Sequence, residues 1–140
     1  MKFLFFLALA LSSNIYAQNL RYDGIYVKIK DTSDLVATNE YIRFYKYGDI
    51  ITTTTTTGNP QQIKKWFNLE NKTIPKGNFN LKDNTISFLI ELQDGVIKYT
   101  GEILKDDILD LEITSYISEK ISHDRYMFIN QAEIDQEKLD

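Results

Sequence analysis

Between Lys76 and Thr114 apolar and polar residues alternate with a period of two, and the alternation breaks at Asp83-Asn84, Asp94-Gly95 and Asp106-Asp107. A period of two puts successive side chains on opposite faces of a strand, so each run predicts a strand and each break a turn. Phe79 and Leu81 stand against Asn78, Asn80 and Lys82; Ile86, Phe88, Ile90 and Leu92 stand against Thr85, Ser87, Leu89 and Glu91. The next runs carry Ile97, Tyr99 and Ile103, and then Leu109, Leu111 and Ile113. The turn pairs recur about every 11 or 12 residues, the spacing of a meander of long antiparallel strands.

Register sharpens the reading. A two-residue turn at 83–84 pairs Leu81 with Ile86 and Phe79 with Phe88. One at 94–95 pairs Leu92 with Ile97 and Ile90 with Tyr99. All four pairs are apolar, and a slip of one residue would turn every such side chain outward. Pairing Ile103 with Leu109 requires a three-residue turn or a bulge between them.

The N-terminal half is less regular. Residues 23–30 read as a strand with Ile25, Val27 and Ile29 on one face. In 41–47, Tyr41, Arg43, Tyr45 and Tyr47 share one face and Ile42 and Phe44 the other, and either face can be the inner one. Gly48-Asp49 turns the chain into 50–57, where Thr52 to Thr57 are β-branched and favour strand. Asn59-Pro60-Gln61-Gln62 has the form of a helix start, and Ile63, Trp66 and Phe67 have helical spacing. A short amphipathic helix is expected there, with Trp66 and Phe67 plugging or lidding one end of the fold. A last strand covers 122–130, with Tyr126 and Phe128 on one face.

The strands 23–30, 41–47, 50–57, 76–82, 85–93, 96–105, 108–117 and 122–130 predict an all-β fold: an eight-stranded antiparallel up-and-down barrel with one short helix. Closure removes the open edges of a sheet. A two-sheet β-sandwich is the alternative.

The first residues carry an address. Lys2 is followed by an apolar stretch, Phe3 to Leu11, then by Ser12-Ser13-Asn14 and by Ala17. This is the layout of a secretory signal peptide, with cleavage expected after Ala17. The stretch is shorter than the ~20 residues of a membrane-spanning helix. The expected organisation is a signal peptide at 1–17, one domain at 18–130 and a polar tail at 131–140, in a secreted or periplasmic protein. The chain has no cysteine, which excludes a lipid anchor attached through one and favours a bacterial-type exported protein that folds on its core alone.

Charge and motifs exclude more than they assign. The net charge of −4 opposes a phosphate-backbone binder, so no nucleic-acid partner is expected. With no cysteine and one histidine, His123, the usual nucleophile–base pairs and metal-ligand spacings are missing. Glu102, Asp110 and Glu112 fall on the outward row, away from any cleft. No phosphate loop, dinucleotide fingerprint or nucleophile elbow occurs. No catalytic residue, metal or cofactor is expected.

Asp23-Gly24-Ile25-Tyr26, the run from Gly95 through Tyr99 and Gly101 to Ile103, and Leu109-Asp110-Leu111 give the chain a resemblance to the short bacterial lipocalin-like (calycin-type) barrels. Tyr26 stands where that family has Trp. The resemblance implies a barrel with one open mouth, and Arg125 packed against the first-strand aromatic. It leaves the ligand open, because fold does not fix function. Gly101 lies on the inward row, where it either lets the strand bend or leaves a gap beside Tyr99 and opposite Leu111. The expected ligand-binding residues are Trp66, Phe67, Phe88, Tyr99 and Leu111, for a small apolar or amphipathic molecule. The competing expectation is a filled barrel whose surface engages another exported protein.

Overall fold

The computed structural model describes residues 19–30, 38–55 and 65–132. The strands are β1 (Gly24–Lys28), β2 (Asn39–Phe44), β3 (Asp49–Thr55), β4 (Lys76–Lys82), β5 (Thr85–Leu92), β6 (Gly95–Leu104), β7 (Ile108–Ser115) and β8 (Lys120–Asn130). Each pairs antiparallel with its successor, and β8 pairs with β1, so the sheet closes into an up-and-down barrel. Closure rules out the sandwich. The signal peptide and most of the expected 59–67 helix and 131–140 tail lie outside the described residues. Among those described, Lys65 and Trp66 form a turn, and the one helical element between strands is a 3₁₀ turn at Lys105–Asp107.

The hairpins follow the hydrophobic pattern with one adjustment. Leu81 pairs with Ile86 and Phe79 with Phe88 across the 83–84 turn, as the alternation predicts. At the next hairpin the sequence predicts Leu92 opposite Ile97; instead Leu92 faces Gly95 and Ile90 faces Ile97. Only Gly95 of the Asp94-Gly95 pair takes a positive φ (151°), so Gly95 opens β6 and the turn sits at 93–94. A two-residue shift preserves every face, which is why the inward list survives it. A Cβ at Gly95 would lie 2.9 Å from Ile117 Cγ1, so the turn after β7 also needs glycine there. Between β6 and β7 the three-residue turn required by sequence is present. Ile103 pairs with Leu109, and Asp106 and Asp107 supply the positive φ angles that aspartate tolerates.

The inward rows form the core. Tyr26, Phe44, Phe88, Ile103, Leu109, Leu111 and Tyr126 are buried in it. Phe44 meets Tyr26, Phe79 and Phe88 edge-on, with centroids 5.2–5.7 Å apart, the geometry ring quadrupoles favour. Leu81 departs from the expected inward set and is 41% exposed, because β4 reaches its turn there and the core ends. Gly101 leaves no gap: a Cβ on it would collide with the Asp110 carbonyl oxygen, so β7 backbone occupies that space.

A second cluster lies on the opposite side of the sheet. Ile25, Tyr41 and Ile51 alternate with the inward Tyr26, Ile42 and Ile50, so they face out of the barrel, yet they are buried. Phe67, with Trp66 and Ile74 beside it, covers them, and the Tyr45 hydroxyl donates to the Phe67 carbonyl at 2.9 Å. This settles the inner face of β2 as Ile42 and Phe44. It also corrects the expectation for Trp66 and Phe67: they cap the outside of β1–β3 rather than an end of the barrel.

Candidate binding cavity at the open end of the barrel

The two ends of the barrel differ. At one end lie the tight turns β2–β3, β4–β5 and β6–β7 together with the chain entering β1. Leu20 is buried in the core there, and Tyr22 packs near Phe79, centroids 6.4 Å apart. Arg21 pairs with Asp23 at 2.8 Å and Asp107 at 3.0 Å, and its guanidinium lies 4.5 Å over the Phe128 ring. The Arg21 backbone N–H donates to the Tyr26 hydroxyl at 2.9 Å. The resemblance implied Arg125 against the first-strand aromatic. Arg125 instead sits on the outer face, 3.6 Å from Asp110, and Arg21 holds the aromatic end.

At the other end β1 and β3 finish and β2 and β4 begin, and among the described residues the core stops short of it. A cavity of about 690 Å³ opens there, within the range of roughly 300–1,000 Å³ of small-molecule sites. Ile42, Ile90, Leu92, Ile97 and Ile113 give it apolar walls, and Thr52, Ser115 and Ser122 add hydroxyls.

Period two delivers charges to the same space. Lys28 follows Tyr26 on its row, Glu40 precedes Ile42, and Asp124 precedes Tyr126. Lys28 Nζ lies 3.4 Å from Asp124 Oδ2 and 3.8 Å from Glu40 Oε2, and the Tyr126 hydroxyl donates to Glu40 Oε2 at 3.0 Å. These side chains are only a fifth to a third exposed, where pairing offsets the cost of lost hydration. Burial, and next the Glu40 carboxylate, push the Tyr99 and Tyr126 hydroxyls well above the usual phenol range. Both therefore stay neutral at ordinary pH and keep a proton to donate.

Of the expected site residues, Tyr99 lines the cavity. Phe88 and Leu111 lie in the core, with Phe88 stacked on Tyr99. Trp66 and Phe67 lie outside. Sequence reasoning missed Lys28, Glu40 and Asp124. The available signal was their place in step with inward aromatic and aliphatic residues.

Two other features are less enclosed. A groove of about 1,040 Å³ runs over the outer side of β4–β6 beside Tyr116. His123 Nε2 meets Asp110 Oδ1 on the outer face of β7–β8, with the histidine two-thirds exposed. Among the described residues no group of three or more His, Cys, Asp or Glu could hold a metal ion, and no helix is long and apolar enough to cross a membrane.

Fold and cavity together define a class: a closed up-and-down barrel whose described residues form a packed core at one end and line a cavity at the other. Comparison with family models, curated proteins and solved structures found no match for the chain.

Proposed function

We propose that this chain is an exported, lipocalin-like binding protein that carries a small amphipathic molecule in the open end of its barrel. The observation that carries the reading is the division of the lumen: aromatic residues and Leu20 pack one end, while about 690 Å³ stays open at the other between aliphatic walls and inward polar groups. A site of this composition gives apolar surface for affinity and a few fixed polar groups for orientation. Export rests on the Lys2–Ala17 leader, and the lipocalin-like assignment on the Gly24-Ile25-Tyr26 strand at the closed end of a barrel.

Native mass spectrometry of the mature protein, exported by its natural route, tests this. Extra mass that is lost on denaturation would support a carried ligand. A clean protein mass that persists after exposure to cell extract would count against it.

A second reading, a module that engages another exported protein, is favoured by exposed Leu89 and Tyr116 beside the outer groove. Partner capture lost on replacing both, with cavity binding absent, would favour that reading.

A further inference from the structure

Building on the reading of the open end as a ligand cavity, we propose that its ligand is a small organic monocation: an amine on an apolar body, with the ammonium group bound at Asp124 and Glu40 beside Tyr99. The argument is charge balance in an enclosed space. Among the described residues two carboxylates and one ammonium face the cavity, an excess of one negative charge. Glu40 is the better satisfied carboxylate, with the Tyr126 hydroxyl and Lys28 both on Oε2. Asp124 has Lys28 alone within ion-pair distance among the described residues.

A ligand that fills the cavity withdraws such a charge from hydration. A neutral ligand would leave the charge dehydrated and unpaired, and an anion would add a third negative group; both are costly. A monocation balances the lining at two against two. The Tyr99 ring, stacked against Phe88 with centroids 4.5 Å apart, lines the same cavity. Aromatic faces attract cations electrostatically. The aliphatic walls from Ile42, Ile90 and Ile97 suit the apolar body.

Isothermal titration of the mature protein with n-octylamine, n-octanol and n-octanoate at neutral pH tests the proposal, because the three share a chain and differ in charge. Octylamine is expected to bind at least tenfold more tightly than octanol, with octanoate weakest. Asp124→Asn should erase most of that preference, weakening octylamine and strengthening octanol, because the charge that a neutral ligand leaves unpaired is gone. Lys28→Met should strengthen octylamine binding, a gain that damaged folding cannot imitate. Equal binding of all three, or a preference for octanoate that Lys28→Met abolishes, would overturn the cation assignment and leave the cavity reading standing. No binding of any of the three, to a protein shown to be folded by circular dichroism, would overturn both.

Discussion

Phe88 and Tyr99 lie directly opposite one another on β5 and β6, their rings stacked 14° from parallel with centroids 4.5 Å apart. The boundary between the two halves of the lumen passes through this pair. Phe88 belongs to the buried aromatic core, and Tyr99 lines the cavity. Packing Tyr99 against a core ring fixes the orientation of a polar group at the cavity floor without requiring another side chain to bind its hydroxyl.

The pair should therefore respond unequally to substitution. Phe88→Ala removes a core ring and is expected to cost about 3–5 kcal/mol in a urea titration. Tyr99→Phe keeps the stack and removes a cavity-facing hydroxyl, so its cost should stay within about 1 kcal/mol. Equal losses would mean that both rings belong to one filled core.

Phe67 stabilises the barrel from outside. Phe67→Ala uncovers Ile25, Tyr41 and Ile51 and should cost about 3–5 kcal/mol, while octyl-chain probes bind the folded variant with unchanged affinity. A selective loss of probe binding would place Phe67 at the cavity.

Gly101 and Gly48 make a matched comparison. Alanine at 101 would drive its Cβ into the Asp110 carbonyl, whereas nothing lies within 4 Å of a Cβ at 48. Gly101→Ala should cost at least the upper end of the ~1–3 kcal/mol typical of overpacking. Gly48→Ala meets only its positive φ of 100°, worth about 1–2 kcal/mol. The order of their thermal midpoints decides the point.

Alkaline pH should destabilise the protein. Burial pushes the Tyr26 hydroxyl up to about 12 from an ordinary 10.0, and Tyr99 and Tyr126 are also raised. Above the unfolded value the unfolded chain has released protons that the folded chain retains, so stability falls with rising pH. For Tyr26 the loss begins near pH 10 and continues to about 12. Denaturant midpoints measured across this window should fall less steeply in Tyr26→Phe.

Arg21 should be readable through its neighbour. Its hydrogen bond to Asp23 holds that carboxyl below the usual aspartate range. Replacing Arg21 with Met should return the Asp23 titration toward the ordinary value, followed by NMR of the carboxyl carbon. An unshifted titration would mean that the ion pair does not persist in solution.

Alternation alone specifies the strands, the turns and most of the inward row, because a half-buried strand writes its two faces into a period of two. Phe79, Ile86, Phe88, Ile90 and Leu109 were legible for that reason, and the two-residue shift at Gly95 left their faces unchanged. Tertiary structure decided what local pattern cannot encode. Ile25, Tyr41 and Ile51 are apolar on the face opposite the core, and only the return of Trp66 and Phe67 across β1–β3 explains them. Lys28, Glu40 and Asp124 carry no local signal that joins them. They become one site because closing β8 onto β1 brings three remote segments to the same end of the lumen. Alternation reports which way a side chain points; barrel closure decides which side chains it meets and where the core leaves room.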